Sequence, residues 1–256
     1  SGDVTLLGNA NCVLLKVDGT SYKVSSSGVT ASTTDTGELR VALTTPGSAV
    51  QVSVVGHPVL SNVMSVTDTA PGTLTILQGG AAPDVFSVSV TRAEGVVSLF
   101  GGGNSDSAAL SLQAEAGAYQ RVNITATAFV APPSHVVQFF QVPRLTFTLT
   151  GAPGARTEVY ATTPAGFSML EYRVHGDPLG ENTINLAGCT VDTPISMVFT
   201  GAGNQTVVLG VDSTLENFHC PISLTFSTDP GALNTLVVKA QNDTRRLNAE
   251  FQPNRI

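Results

Sequence analysis

Four side chains within one short stretch are of the types that acid–base chemistry uses. In Leu170-Glu171-Tyr172-Arg173-Val174-His175-Gly176-Asp177-Pro178 the odd positions carry two carboxylates, a guanidinium and an imidazole. Residues i, i+2 and i+4 of a β-strand share one face. A strand here therefore lines up Glu171, Arg173, His175 and Asp177 and turns Tyr172 and Val174 inward. Such a row can move protons or hydrogen-bond a sugar. It can also be a solvated face whose opposite charges neutralise one another, and no second constellation in the chain completes a catalytic site. The expectation is a protein that is not an enzyme, with a secreted hydrolase or lyase using Glu171, Arg173 and His175 as the alternative.

The remaining reactive side chains support less chemistry. His219 beside Cys220 offers two zinc-ligand types, but adjacent strand residues face opposite ways and no C-x2-C or H-x3-H partner follows. No metal site and no cofactor are expected. Gly101-Gly102-Gly103-Asn104-Ser105-Asp106 has the glycines of a phosphate loop without its Lys-Ser/Thr ending. Its Asn104, Ser105 and Asp106 could offer oxygens to Ca2+, although a hairpin tip accounts for the segment as well. His57 and His135 stand beside proline-marked bends, where exposed loop positions are expected. G-x-S-x-G is absent. With no Trp and 4 Tyr, the aromatic platforms that sugar-binding proteins use are scarce.

The 3 cysteines are Cys12, Cys189 and Cys220. Cys189 and Cys220 fall near strand edges in the C-terminal half and are expected to pair, leaving Cys12 free or bridged to another chain. Asn123-Ile124-Thr125, Asn204-Gln205-Thr206 and Asn242-Asp243-Thr244 are N-glycosylation sequons. Both features favour a secretory route, and the start at Ser1 without Met agrees with signal-peptide removal or with an excised piece. Lys and Arg number 12 against 19 Asp and Glu, a net charge of −7, with no basic stripe to meet nucleic acid. No apolar run is long enough for a membrane helix. Hydrophobic residues make up 42 % and charged ones 12 % of the chain, which excludes disorder and leaves a surface of Ser, Thr, Asn, Gln and Gly.

The elements that must position these residues are strands. Phe86, Val88 and Val90 alternate with Ser87, Ser89 and Thr91, and Leu145, Phe147 and Leu149 alternate with Thr146, Thr148 and Thr150. Leu39, Val41 and Leu43, and Ile222, Leu224 and Phe226, repeat the pattern. Turn pairs such as Pro71-Gly72, Gly79-Gly80, Pro153-Gly154, Asp177-Pro178 and Pro230-Gly231 stop the strands at short intervals. About sixteen strands so spaced predict an all-β fold of antiparallel β-sandwiches, Ig-like or jelly-roll. No stretch has a convincing helical period with caps; 107–118 comes closest, with an Ala and Leu content that allows a short helix. Ala131-Pro132-Pro133-Ser134 is the best linker, dividing the chain into sandwich domains 1–131 and 134–256.

Residues 30–54 carry a Thr-Asp-x-Gly turn (Thr34-Asp35-Thr36-Gly37), the alternating Leu39, Val41 and Leu43, a Pro46-Gly47 turn and a closing Val50-Gln51-Val52 strand. This stretch resembles the closing strands of bacterial Ig-like domains of the invasin and intimin type. The resemblance implies an Ig-like sandwich in a surface or adhesive protein. With the low charge, which suits subunit contacts, it leads to a non-enzymatic extracellular or surface structural and adhesive protein, a subunit of a larger assembly. A viral capsid or virion-surface jelly roll is an alternative. The expected partner is the chain itself, as a homo-oligomer or filament formed by β-strand addition through the apolar residues 4–7, or another surface protein.

Overall fold

The computed structural model describes residues 2–6, 12–16, 20–33, 37–43, 51–103, 105–131, 135–162, 167–190, 192–211 and 214–242, with the backbone alone at 2–6, 12–16, 33 and 37–43. Alternation does make strands here. In chain order they are β1 (Gly2–Leu6), β2 (Cys12–Lys16), β3 (Ser21–Ser25), β4 (Gly28–Thr33), β5 (Gly37–Leu43), β6 (Gln51–Val55), β7 (Val63–Val66), β8 (Leu74–Gln78), β9 (Val85–Ser89), β10 (Val96–Phe100) and β11 (Ser107–Gln113). They continue as β12 (Tyr119–Ile124), β13 (Ala128–Ala131), β14 (His135–Phe140), β15 (Arg144–Thr150), β16 (Arg156–Ala161), β17 (Met169–Gly176), β18 (Glu181–Leu186), β19 (Ile195–Gly201), β20 (Gly203–Leu209), β21 (Ile222–Thr225) and β22 (Ala232–Val238).

Their arrangement overturns the expected antiparallel sandwich. From β7 onward the chain visits two sheets by turns, and almost every neighbour within a sheet runs parallel, so the fold is a β-solenoid of about seven turns. The first sheet runs β1-β5-β4-β3-β7-β9-β11-β15-β17-β19-β21 and the second β2-β6-β8-β10-β14-β13-β12-β16-β18-β20-β22. Strand alternation reports one buried and one wetted face, and a solenoid wall has both just as a sandwich does. It carries no information about the direction of the neighbour. Most of the Gly and Pro pairs that read as hairpin turns are corners instead, where the chain crosses from one sheet to the other. Pro71-Gly72 leads from β7 to β8, Pro153-Gly154 from β15 to β16 and Pro230-Gly231 from β21 to β22.

The antiparallel pairs form two meanders of identical wiring. In the first sheet β3 pairs with the later strand β7, β4 returns antiparallel, and β5 pairs with the earlier strand β1. In the second sheet β12 pairs with β16, β13 returns, and β14 pairs with β10. The stretch with Ig-like resemblance contributes to β4 and β5 of the first meander and to β6, which lies in the second sheet and runs parallel to both its neighbours; residues 34–36 and 44–50 lie outside the described residues. One insertion per sheet leaves both with eleven strands, a stack about 48 Å long at the usual strand spacing. Ala131-Pro132-Pro133-Ser134 falls between β13 and β14, whose residues Ala131 and His135 are paired; residues 132–134 lie outside the described residues.

Inward side chains stack in columns from turn to turn. Leu110, Phe147, Tyr172 and Met197 are in register and buried, as are Leu112, Leu149, Val174 and Phe199. Phe129 of the second sheet meets Phe147 of the first at 5.2 Å between ring centroids. The segment that comes closest to a helical pattern, 107–118, opens instead with strand β11, with Ala108, Leu110 and Leu112 inward. Its Ala and Leu content has helical propensity, but burial between β9 and β15 decides the conformation.

One corner is held by a ladder of buried polar side chains. Asn62, Asp84 and Asp106, each fully buried, immediately precede β7, β9 and β11 and stand 22 residues apart. Asp84 Oδ1 accepts from the Asn62 backbone N–H and from Asn62 Nδ2, both at 2.7 Å, while Oδ2 accepts from Gly80 N–H at 2.7 Å. Asp106 Oδ1 accepts from Asp84 N–H, and Oδ2 from Gly102 and Gly103 N–H, each at 2.8 Å. The glycines are required by close approach: a Cβ on Gly101 would meet the Gln141 carbonyl oxygen at 2.1 Å. Gly101 and Asp106 are thus packed into the corner and both Asp106 oxygens are occupied by backbone donors; Asn104 lies outside the described residues.

Candidate functional site

Strand β17 presents the expected row. Tyr172 and Val174 are buried and Glu171, Arg173 and His175 point outward. Their partners, however, separate them. Glu171 Oε2 pairs with Arg173 Nη2 at 3.0 Å and accepts from Thr146 Oγ1 of β15 at 3.4 Å. His175 Nδ1 lies 3.1 Å from Thr200 Oγ1 of β19. Asp177 falls beyond the strand, where its Oδ1 accepts from Leu179 N–H and shapes the corner. Carboxylate and imidazole are thus each engaged with different neighbours.

Other candidates have structural partners as well. Cys189 and Cys220 form a disulfide, with Cα atoms 5.6 Å apart, so Cys220 is not available beside His219 as a thiolate ligand. Cys12 is in β2, at the edge of the second sheet. His57 Nδ1 accepts from the N–H groups of Val59 and Leu60, and His135 Nδ1 lies 2.9 Å from the Ala93 carbonyl oxygen. Among the described residues no three His, Cys, Asp or Glu side chains gather as metal ligands would, and no helix is long and apolar enough to cross a membrane. The sequon residues Asn123, Asn204 and Asn242 are all exposed, the first two on the outer face of the second sheet. Next to the β13–β14 meander an open groove of about 520 Å³ is walled by Phe139, Phe140 and Phe167, with Gln141 held at a positive φ of 54° at its rim.

The densest functional cluster lies on the outer face of the second sheet. Parallel register sets Tyr119 beside Arg156, Arg121 beside Glu158 and Asn123 beside Tyr160, with Glu181 of β18 next to Arg156. Glu158 is the hub. Its Oε2 accepts from the phenols of Tyr119 at 3.0 Å and Tyr160 at 3.1 Å, and its Oε1 from Arg156 Nη2 at 2.8 Å. Arg156 Nε also reaches Glu181 Oε2 at 3.7 Å. The guanidinium of Arg121 lies over the Tyr160 ring, 4.0 Å from its centroid, a cation–π contact.

Electrostatics follow from these contacts. Burial pushes the Glu158 carboxyl up, but the two phenol hydrogen bonds and Arg156 outweigh it and hold the group below its ordinary value. The hydrogen bond to Glu158 pushes the Tyr119 phenol up, and burial followed by the same carboxylate pushes Tyr160 up. A carboxylate kept ionised and saturated with donors is a poor general acid and an immobile anchor. No compact sequence motif marks this cluster, because 119–121 and 156–160 meet only through the register. The available signal was Tyr119-x-Arg121 and Arg156-x-Glu158-x-Tyr160, polar residues at period two on two strands.

No family model, curated protein or solved structure matches this chain.

Proposed function

We propose that this chain is a non-enzymatic structural and adhesive protein of a secreted or surface-displayed setting, a rigid solenoid that works through its outer faces and assembles with copies of itself. The observation that carries this reading is the way the polar groups on those faces are locked to one another. Glu158 is saturated by two phenols and a guanidinium, and Glu171 is paired with Arg173. Groups fixed in this way serve recognition, whereas turnover needs a carboxyl or imidazole free to change its protonation state.

The walls suit that role. Outward columns of the first sheet read Ser87, Ala109, Thr146, Glu171, Ser196 and Ser89, Ser111, Thr148, Arg173, Val198, a surface low in charge, as subunit contacts are. The disulfide favours an oxidising compartment, and exposed Asn123, Asn204 and Asn242 are available as glycan acceptors. Strands β1 and β2 form one end of the sheets and β21 and β22 the other, and parallel edges add further strands head to tail. Light scattering with negative-stain microscopy of the secreted protein tests the proposal. Particles several times the monomer mass, stacked end to end, are expected; a monomer at high concentration overturns the assembly.

A further inference from the structure

We infer that Tyr119 and Arg121 form a binding subsite for an acidic saccharide, a uronate-bearing polysaccharide, on the outer face of the second sheet. This inference rests on reading that face as a recognition surface and names what it recognises. Tyr119 is 59 % exposed, and its ring cannot swing away because its phenol is tied to Glu158 at 3.0 Å. Arg121 stands two residues along the same strand, on the same face. Its guanidinium rests over the Tyr160 ring, 4.0 Å from the centroid, and Tyr160 is tied to the same carboxylate oxygen.

The charges in the cluster are unequally spent. Arg156 is paired with Glu158 and Glu181. Arg121 has no carboxylate within ion-pair distance among the described residues, so its N–H groups have capacity for an incoming anion. A planar guanidinium takes a carboxylate in two parallel hydrogen bonds; the Arg156 guanidinium stands over one face of the Tyr119 ring, 5.8 Å from its centroid, and the opposite face offers the C–H face of a pyranose an apolar platform. The two groups are about 7 Å apart along the strand, a span that suits a sugar ring stacked on Tyr119 with its carboxylate directed at Arg121. Glu158 touches no ligand in this arrangement and is a positioning residue. Preorganisation of both contact groups lowers the cost of ordering them on binding.

The probes are a galacturonate hexamer and, as neutral controls, chitohexaose and cellohexaose, measured by calorimetry on the full chain made without glycosylation, since Asn123 shares this face. The galacturonate hexamer is expected to bind at least about tenfold more tightly than either neutral hexamer, and less tightly as salt rises. Tyr119→Ala and Arg121→Gln are each expected to cost about tenfold or more, with the β-sheet circular dichroism unchanged. Glu158→Gln is expected to weaken binding and also to bring the Tyr119 and Tyr160 phenols down toward their ordinary value, a shift that loss of stability alone does not produce. Absence of binding, equal binding of a neutral hexamer, or binding indifferent to both Tyr119→Ala and Arg121→Gln overturns the inference. Particle mass, measured on the same samples, reports separately on assembly.

Discussion

Replacing Asp106 with Ala tests the corner ladder. The carboxylate accepts three backbone hydrogen bonds, from Asp84, Gly102 and Gly103. Asp84 N–H is buried and left with no acceptor, at a cost of about 1–3 kcal/mol. Gly102 is exposed and Gly103 half-buried, so water takes over part of their bonding and each loses about 0.5–1.5 kcal/mol. The sum is about 2–6 kcal/mol, read from the midpoint of urea unfolding followed by circular dichroism. Asp106→Asn retains one acceptor oxygen and should lose about half as much. Asp229 provides the control: its Oδ1 accepts from Gly231 N–H at 2.8 Å in an exposed turn, and Asp229→Ala should cost about 1 kcal/mol or less. If Asp106→Ala lies within about 1 kcal/mol of Asp229→Ala, the ladder does not hold the corner in the way described.

Substituting Cys189 and Cys220 with Ser should lower stability by about 3–4 kcal/mol, since the bridge closes a loop across a separation of 31 residues; three alkylatable thiols in protein from native source would contradict both the bridge and the oxidising setting. Glu171→Ala and His175→Ala should each shift stability by no more than about 0.5 kcal/mol, and loss of a measurable turnover in either by about a hundredfold, with folding intact, would favour a hydrolase or lyase instead. Because the folded Glu158 carboxyl is held below its ordinary 4.5, its contribution is complete above that value and lost as pH falls through the folded one. Unfolding profiles of Glu158→Gln should therefore be flatter with pH in the acid range than those of the native chain. The Tyr119 and Tyr160 phenols are raised above 10.0, so their contribution is present below 10.0 and disappears as pH rises through the folded values, visible as late phenolate absorbance. Deleting β1, an edge strand of the first sheet, should reduce particle size and leave the β-sheet signal; an unchanged particle would remove that edge from the assembly.

The period of two at Phe86 to Thr91 and at Leu145 to Thr150 was enough to identify strands and to separate inner from outer residues. Tyr172 and Val174 did turn inward, and the Cys189–Cys220 pairing came from the sequence as well. Strand direction did not, because a half-buried strand looks the same beside a parallel or an antiparallel neighbour. The usual warning sign of a parallel sheet, an unbroken apolar run, is missing here since the outer faces meet water. Asn62, Asp84 and Asp106 recur at intervals of 22 residues, a repeat that does announce stacked turns. It is diluted by the later turns, where Leu170 follows its register partner Leu145, and Ile195 follows Leu170, at wider intervals. The Tyr119, Arg121, Arg156, Glu158 and Tyr160 cluster depends entirely on register, whereas Glu171 and His175 form a compact motif, close in sequence and differently partnered in space.

A parallel stack whose register brings distant outward residues into one column fixes one distance that can be measured. Ser89, Ser111, Thr148, Arg173 and Val198 occupy successive strands of the first sheet, which places Ser89 and Val198 four strand spacings apart, about 19 Å. Both point outward, so each accepts a spin label without entering the core. Pulsed electron paramagnetic resonance on the doubly labelled chain, with Cys12 replaced by Ser, should give one narrow distribution near 20 Å. A broad distribution, or one centred beyond about 35 Å as independent N- and C-terminal domains would produce, contradicts the solenoid and the recognition surface built on it.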